Sequence, residues 1–550
     1  MAAVHKNKTK LDDFKLSDIM AFEALLVGTL ALVASSSGIR RIDRDVTTMW
    51  FIGDLHGDDE CAKAWLTATG AITFDESSKI TWTGRPDEVI IFMGDYVDKG
   101  VRSRQSLELM RSLTDALPDH VVAVVGNHDL FALLDASLTP SRTRPMGTVV
   151  AEFSYAFAHP QSYLESGWSP KRADDEELLG ALLSALEFVY AHHGEGRVAL
   201  RSDAERPLKM NRFLDIFASG ETAGVGVPPF GDDAELAKRT RERLATWERE
   251  WAAGFLESGL ASWLQRRPIV AVVGDAIVAH AGLQMGLLDR EVRALAAERG
   301  LSHLDALHAA TNERFWAWCA RNIANATVPF SVAADFDGLD LVSDAVQHRG
   351  YFKSHGGPGC DEVSEVLAFL NANANADANA KGGEDEKPKK AETRVLHRIV
   401  VGHTPEDDVQ ILCDGALVAA DSALSRPFRA NGNYYCAVGE ALSRRIVLSP
   451  ELTSQCVSVL SDGPCEGSIA RLSRKSARDE WPVRAEAITF ADLQHEAATA
   501  ARSSSSSAAE EAKAEPLAAS EAAEEEKEAC RAPRSLFARA ALWVRAALRL

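Results

Sequence analysis

The sequence predicts an α/β protein, and three observations lead to that fold class. The chain has 550 residues and is 46% hydrophobic, which is an ordinary fraction for a globular protein and excludes wholesale disorder. Short β-rich runs alternate with stretches of helical spacing between residues 47 and 126. Each of these β-rich runs ends in glycine followed by polar residues, as in α/β sheets that carry their function at the carboxyl ends of strands.

The individual elements can be predicted in chain order. The helical stretches CAKAWLTATG and SLELMRSLTDAL separate the first three strands, which are TTMWFIG, EVIIFMG and VVAVVG. A largely helical region is expected over residues 131–265, interrupted by the loop GVGVPPFGDD. Strand patterns then return in IVAVVGDAIVAHAG, VLHRIVVGHT, DGALVAADSAL and ALSRRIVLSP.

Residues 1–45 form a polar, Lys-rich leader followed by an apolar segment. The apolar run from Met20 to Ala34 is shorter than the ~20 residues of an ordinary transmembrane helix but suits the core of a signal sequence or anchor. Glu23 and the long polar lead-in favour instead a helix that packs on the domain. Both interpretations stay open, so the compartment is either cytoplasmic or endomembrane and secretory.

Compositional shifts mark the remaining segments. Residues 371–392 are polar and low in complexity, and we expect a disordered surface insertion there. Residues 451–496 are expected to form a C-terminal extension. The tail at 497–550 has an acidic stretch, with eight Glu against three Lys or Arg, and then a basic amphipathic segment with five Arg over 531–550. That segment fits a membrane or partner helix, or a helix that folds back on the acidic stretch.

Charge and cysteine content exclude several classes of protein. The chain carries 60 Lys and Arg against 80 Asp and Glu, a formal net charge of −20, which argues against a nucleic-acid binder. The eight cysteines include no C-x-x-C pair, so neither a zinc ribbon nor a disulfide scaffold is indicated. We expect reduced thiols, with a Cys456–Cys465 pair left open for an oxidising compartment.

Polar residues with metal-binding side chains follow five of the predicted strands. Carboxylate, imidazole and amide ligands suit Mn, Fe or Zn, and the absence of thiolates argues against a structural zinc site. A single such motif is weak evidence, but five in this order predict a centre for two divalent metal ions. The residues are Asp54 and His56, Asp95 and Asp98, Asn127 and His128, His280, and His403.

The motifs GDLHG, GDYVDKG, GNHD, HAG and VGHT resemble the metallophosphoesterase (calcineurin-like) superfamily and, within it, the phosphoprotein phosphatase family. The Shewanella-like protein phosphatases are the most similar branch, because of Asp58, VVGHTP at 400–405, the run at 266–283 and QHRGY at 347–351. The resemblance implies an αββα sandwich of two mixed sheets flanked by helices. It places the catalytic domain at 46–450, with 131–265 as a helical cap that shapes the cleft.

The resemblance also implies a role for each site residue. Asp54 and His56 would bind the first metal, Asp95 would bridge both metals, and Asn127, His280 and His403 would complete the second. A hydroxide activated by the two metals would attack phosphorus. His128 would protonate the leaving oxygen and Asp98 would orient its ring, while Lys99 and Arg349 would bind the phosphoryl oxygens.

The chain departs from the family pattern at two positions. Lys99 stands where the family usually has Arg, which removes the bidentate fork, and Asp129 replaces the usual Glu. GNHD and HAG are also similar to diadenosine tetraphosphate hydrolases, although those generally lack a counterpart of Asp98.

Three functions follow from these similarities. The first is a metal-dependent phosphomonoester hydrolase acting on phosphorylated proteins or small phosphoesters. The second is a hydrolase of dinucleoside polyphosphates or other nucleotides. The third is a catalytically weak phosphate-binding scaffold, which Lys99 and the long tails motivate.

Several other polar residues are expected to lie outside the chemistry. Ser354-His355-Gly356-Gly357 spells a family-like HGG but follows no strand, so His280 is preferred as the ligand. Asp421, in the ADSAL segment after the last site strand, is expected to be a turn aspartate, and a position near the site stays open. Surface or packing positions are predicted for His192, His193, His348 and His397.

Overall fold

Two β-sheets pack face to face, and helices cover their outer surfaces, in the computed structural model of this chain. The structure describes residues 41–42, 46–138, 160–181, 234–322, 339–353, 359–372, 395–406, 408–426, 465–474, 484–496 and 499. This arrangement confirms the predicted α/β fold with two mixed sheets.

The strands, in chain order, are β1 (Arg41–Ile42), β2 (Thr48–Ile52), β3 (Ile72–Phe74), β4 (Ile80–Trp82), β5 (Glu88–Phe92), β6 (Val121–Ala123), β7 (Val270–Val273), β8 (Ala276–Ala279), β9 (Arg398–Val401), β10 (Gln410–Leu412), β11 (Leu417–Ala419), β12 (Ser468–Ser473) and β13 (Arg484–Thr489). One sheet has the order β1-β7-β8-β9-β11-β10 and the other β13-β12-β2-β5-β6. Strands β3 and β4 form a separate antiparallel pair.

The helices are α1 (Asp59–Ala68), α2 (Ser103–Ala116), α3 (Asn127–Leu138), α4 (Pro160–Glu165), α5 (Ala234–Glu257), α6 (Leu260–Leu264), α7 (Met285–Leu287), α8 (Arg293–Arg299), α9 (His303–His308), α10 (Arg314–Asn322), α11 (Asp340–Gln347), α12 (Gly350–Lys353) and α13 (Cys360–Asn371). Short π-helical segments, Leu288–Val292 and Ala309–Glu313, join α7 to α8 and α9 to α10. The 3₁₀ turn Cys413–Gly415 precedes β11.

Side chains alternate between two cores because successive residues of a strand point to opposite faces of the sheet. Met49 and Phe51 of β2 lie between the sheets, together with Val278 of β8 and Val418 of β11. The intervening residues face outward and pack against the helices in a larger apolar cluster that also holds Trp247 of α5. Burial on both faces explains why the central strands are continuous apolar runs.

Three strands run parallel in each sheet, and five of these six are followed by the motifs. Strand β2 pairs with β5 and β5 with β6, all parallel, while β8, β9 and β11 form the parallel part of the other sheet. The carboxyl ends of parallel strands meet at one edge of a sheet, so the residues that follow them are brought together.

Some elements differ from the sequence prediction. The run IVAVVGDAIVA is two antiparallel strands, β7 and β8, because Gly274 adopts φ +60° and turns the chain. Residues 451–496, expected as an extension, include β12 and β13, and β12 pairs with β2 in the middle of its sheet. The described part of 131–265 is helical in α4, α5 and α6, and its role as a cap stays a prediction.

Two disulfide bonds correct the prediction of reduced thiols. Cys465 pairs with Cys61 rather than with Cys456, and Cys360 pairs with Cys413. Each pair is distant in sequence and becomes close through packing, which spacing along the chain does not reveal. Cys319 is a buried free thiol.

Several predictions fall outside the described residues. They concern the leader, the segment Met20 to Ala34, the strand ALSRRIVLSP, the insertion from residue 373 onward, the motif at 354–357, His192 and His193, Cys456, and the tail beyond residue 499. Among the helices that the structure does describe, none combines the length and apolar character that a membrane span needs.

Candidate metal centre

Five strand ends converge on one buried site. Asp54 and His56 follow β2, Asp95 follows β5, and Asn127 begins α3 just after β6. From the opposite sheet come His280 after β8 and His403 after β9, and both are buried. The structure therefore brings together all six residues that the resemblance named as metal ligands.

One group of potential ligand atoms comes from His56, Asp95 and His128, whose donor atoms lie within 4.8 Å of one another. His56 Nδ1 lies 3.0 Å from the Val97 carbonyl and donates its hydrogen to it. That bond fixes the tautomer and leaves the lone pair on Nε2, which lies 3.6 Å from Asp95 Oδ2 and 3.8 Å from Asp54 Oδ2.

A second group contains Asp95, His280 and His403. The Met93 carbonyl accepts a hydrogen bond from His280 Nδ1 at 2.6 Å, so His280 Nε2 faces Asp95 Oδ1 at 3.4 Å. Asn127 Oδ1 lies 3.0 Å from that Nε2 and 2.9 Å from His403 Nδ1. Asp95 is common to both groups, as expected of a carboxylate that bridges two ions.

His128 and Asp98 form a hydrogen-bonded pair beside these groups. His128 Nδ1 donates to Asp98 Oδ2 at 2.7 Å, and both side chains are buried. The opposite nitrogen, Nε2, lies 3.9 Å from Asp95 Oδ2. The pairing matches the arrangement expected of a proton donor and the carboxylate that orients it.

The donor set fits divalent cations. It supplies imidazole nitrogens, carboxylates and one amide oxygen, all buried, and these are ligands that Mn, Fe and Zn accept. Burial lowers the pKa of His56 to about 3 and that of His403 to about 2, so both rings are neutral with lone pairs available. Burial opposes charge on His280 as well, but Asp95 and Asp54 raise its pKa to about 10.

Backbone strain is concentrated at this site. Of the nine non-glycine residues with positive φ in the described part of the chain, five belong to the candidate site. Such conformations are costly and tend to persist where the surroundings enforce them for function. The five are His56 (φ 40°), Asp95 (φ 54°), Asp98 (φ 70°), Lys99 (φ 59°) and His403 (φ 64°).

Glycine is required where the strand ends crowd together. A Cβ on Gly126 would collide with the side chain and backbone of Asp95. Gly282 has φ +139°, and a Cβ there would lie 2.7 Å from the Tyr351 ring. The Tyr351 hydroxyl donates to the Leu283 carbonyl at 2.8 Å and accepts from the Leu283 amide at 3.1 Å, which ties the Arg349-Gly350-Tyr351 turn to the loop after His280.

The two predicted phosphate-binding cations lie near different halves of the centre. Arg349 Nη1 donates to Thr404 Oγ1 at 3.4 Å, next to His403. Lys99 Nζ lies 2.8 Å from His56 Nε2 and is thus directed at a candidate metal ligand. Of the four histidines predicted at surface or packing positions, the structure describes two: His348 packs edge-on against Tyr351, and His397 is exposed, as predicted.

The sequence did not reveal how closely two aspartates contact the candidate site. Asp129 is fully buried, and its carboxylate accepts hydrogen bonds from the amides of Asp95, Tyr96 and Gly126. Asp421 accepts from the Ala423 amide at 3.0 Å, as a turn aspartate does, but it is also buried and its charge raises the pKa of Asp54. Burial itself is the larger cause of that shift in Asp54. The only sequence signal for Asp421 was its place after the apolar run LVAA.

Comparisons with known proteins agree with this geometry. The family model described as Calcineurin-like phosphoesterase matches residues 47–220, which include the first three motifs. The match confirms the resemblance to the metallophosphoesterase superfamily.

Curated relatives include bis(5'-nucleosyl)-tetraphosphatases of the symmetrical type. The enzyme of Xylella fastidiosa is 37% identical over 86 residues, which are 16% of this chain and 24% of the relative. That of Aromatoleum aromaticum is 25% identical over 205 residues, 36% of this chain and 62% of the relative. The chain thus spans about a quarter of the length of the first and less than two thirds of the second.

Similar solved structures include two protein phosphatases. The cold-active protein-tyrosine phosphatase of a psychrophilic Shewanella species is 14% identical, with 78% of this chain and 76% of that chain covered and a TM-score of 0.32. A protein serine/threonine phosphatase from Saccharomyces cerevisiae is 11% identical, with 85% and 89% covered and a TM-score of 0.31. The fold assignment rests on the two sheets described above.

Proposed function

We propose that this protein is a metal-dependent phosphomonoester hydrolase that acts on phosphorylated proteins. The observation that carries the proposal is the convergence of two groups of ligand atoms on Asp95, with the His128–Asp98 pair beside them. The family match supports hydrolysis of phosphoesters, and the intact Asp98 favours the protein-phosphatase branch.

Each residue has a role in this proposal. Asp54, His56, Asp95, Asn127, His280 and His403 would hold two divalent ions. Bound ions would supply Lewis acidity that polarises a phosphoryl oxygen and acidifies water. His128 would deliver a proton from Nε2 to the leaving oxygen, while Asp98 holds Nδ1–H and so fixes which nitrogen faces the substrate. Arg349 would orient the phosphoryl group.

Asp95→Asn tests the proposal because Asp95 contributes to both ligand groups. We expect Mn²⁺-dependent hydrolysis of an aryl phosphate to fall about a hundredfold or more, while circular dichroism shows an intact fold. Asp115→Asn is the matched control, since Asp115 is exposed on α2, and it should keep wild-type activity. Wild-type turnover by Asp95→Asn with added Mn²⁺ would contradict the metal centre.

A dinucleoside polyphosphate hydrolase is the second candidate, and the identity with the tetraphosphatases favours it. The two candidates separate in a panel of phosphoserine, phosphothreonine and phosphotyrosine peptides against diadenosine tetraphosphate. Higher kcat/KM for the peptides supports the first candidate and higher kcat/KM for the dinucleotide supports the second. Two bound ions without turnover of either substrate would indicate the phosphate-binding scaffold.

A further inference from the structure

Lys99, one of the two departures from the family pattern, contacts the side chain of a candidate metal ligand. It follows Asp98 in the loop after β5, with a φ of 59°. Its ammonium lies 2.8 Å from His56 Nε2, so it donates a hydrogen bond to the only lone pair that the His56 ring offers. The Val97 carbonyl already occupies the other nitrogen.

Carboxylates lie near the ammonium of Lys99. His56 Nε2, which is 2.8 Å from the ammonium, lies 3.6 Å from Asp95 Oδ2 and 3.8 Å from Asp54 Oδ2, and Lys99 directly follows Asp98 in the chain. Several buried carboxylates so close together repel one another, and a cation among them offsets that repulsion. Lys99 therefore supplies positive charge at the place where a divalent ion would otherwise do so.

The same position cannot hold both cations. A metal bound by His56 uses the Nε2 lone pair, and the ammonium uses that lone pair too. Lysine suits such an exchange because its charge is compact and its stem is flexible, whereas the planar guanidinium of arginine is suited to bidentate contacts with phosphate. In the other ligand group, the atoms next to His280 and His403 are Asn127 and Asp95 rather than a lysine.

We propose that Lys99 is a built-in counter-ion for the His56 half of the centre, which it occupies in the metal-free protein and vacates when a divalent ion binds there. This inference rests on the proposed metal centre. One measurable consequence follows. The His56 half binds its ion more weakly than the His280–His403 half, because the ion must displace Lys99.

Calorimetric titration of the metal-free full-length protein with Mn²⁺ tests the proposal without any substrate. We expect wild type to bind two ions with unequal affinities. In Lys99→Met the weaker affinity should rise about tenfold or more, because no ammonium competes, while the stronger affinity stays unchanged. Lys99→Gln should behave similarly, since it keeps a hydrogen-bond donor but loses the charge. Lys79→Met is the matched control, because Lys79 is exposed in the separate β3–β4 pair, and it should bind like wild type.

Thermal unfolding gives a second measurement. A lysine with only a structural role would not give the metal-dependent result expected here. Without metal, Lys99→Met should unfold at a lower temperature than wild type, because the carboxylates lose their counter-ion. With saturating Mn²⁺, Lys99→Met and wild type should unfold at the same temperature.

Three results would overturn the inference. Wild-type affinities in both Lys99 variants, or a stability difference that persists with Mn²⁺, would show that Lys99 does not compete with the ion. In either case the proposed metal centre would stand. If no variant and no wild-type protein bound Mn²⁺, the metal centre itself would be wrong, and this inference with it.

Discussion

Asp129 connects two of the loops that hold the candidate ligands. Its Oδ2 accepts from the amides of Asp95 at 2.8 Å and Gly126 at 2.9 Å, while its Oδ1 accepts from the Tyr96 amide at 2.9 Å. The aspartate that stands where the family usually has Glu thus holds the loops of Asp95 and Gly126 together. Burial and the charge of Asp95 raise the pKa of Asp129 to about 7.

We predict that Asp129→Asn destabilises the protein and lowers its turnover. An amide has one acceptor oxygen, and its NH₂ would face an amide donor, so at least one buried N–H loses its partner at a cost of about 1–3 kcal/mol. Urea unfolding measures the stability, and Mn²⁺-dependent hydrolysis of an aryl phosphate measures the turnover. Asp115→Asn again serves as the control, and equal stability of the two variants would contradict this role.

The candidate ligands were predictable from sequence because each follows a buried apolar run, and sequence order alone places it at a strand end. Asp129 and Asp421 were not, because their importance depends on contacts across the chain. Asp129 lies 34 residues from Asp95, and Asp421 meets Asp54 from the other sheet. The direction of the Lys99 side chain is likewise a property of packing rather than of its motif.

Helix α5 is anchored by a buried ion pair. Arg243 Nε donates to Asp175 Oδ1 at 2.6 Å and Nη2 to Oδ2 at 3.0 Å, and the same Nη2 also reaches the Pro170 carbonyl at 2.9 Å. The guanidinium carbon lies 5.4 Å from the ring centroid of Trp247, one turn along the helix. Sequence analysis predicted the helix from its periodicity. Periodicity carries no information about a contact with a residue 68 positions away, so the Arg243–Asp175 pair could not be predicted.

This pair makes the stability contributed by α5 depend on pH. Burial opposes the charge on Asp175, yet the hydrogen bonds from Arg243 hold the pKa of Asp175 below its usual range. A carboxyl group whose pKa is lower in the folded state stabilises the protein above its unfolded pKa of about 3.9. That stabilisation is lost as the pH falls through the folded value.

We therefore predict that Arg243→Met lowers the free energy of unfolding by about 3–5 kcal/mol at pH 7, because it leaves Asp175 buried without a partner. The difference from wild type should shrink as the pH falls below about 4, where Asp175 becomes protonated first in the unfolded chain and then, at its lower pKa, in the folded wild-type protein. Urea unfolding at pH 7, 5 and 3.5 measures the difference in the free energy of unfolding between Arg243→Met and wild type. Arg239→Met on the same helix is the control, since Arg239 forms exposed pairs worth about 0–1 kcal/mol at any of these pH values. A pH-independent difference for Arg243→Met would contradict the argument.

The two sheets together determine where the site forms. Strands β2, β5 and β6 deliver three motifs from one sheet, and β8, β9 and β11 deliver His280, His403 and Asp421 from the other. Sequence analysis predicted most of these strands but not β12 and β13, whose sequences SIARLS and RAEAIT contain few large apolar residues. Because β12 pairs directly with β2, a segment more than 400 residues away in sequence supports the strand that carries Asp54 and His56.

The Cys61–Cys465 disulfide strengthens this long-range connection. Cys61 lies in α1, just after the first motif, and Cys465 lies just before β12, so the bond joins segments 404 residues apart. The Cys360–Cys413 bond closes a loop of 53 residues. Closing a longer loop removes more conformational entropy from the unfolded chain, so the first bond should contribute more stability.

We predict that Cys61→Ser with Cys465→Ser lowers the free energy of unfolding by about 2–5 kcal/mol, and that Cys360→Ser with Cys413→Ser lowers it by less. Calorimetry on both double variants, with tris(carboxyethyl)phosphine-treated wild type as a third sample, measures the difference. Below its unfolding temperature the first variant should keep wild-type Mn²⁺-dependent activity, because hydrogen bonds between β12 and β2 and the contacts of His56 remain. Activity lost while the protein is still folded would instead show that the Cys61–Cys465 bond positions the first motif, and that β-sheet pairing alone does not hold Asp54 and His56 in place.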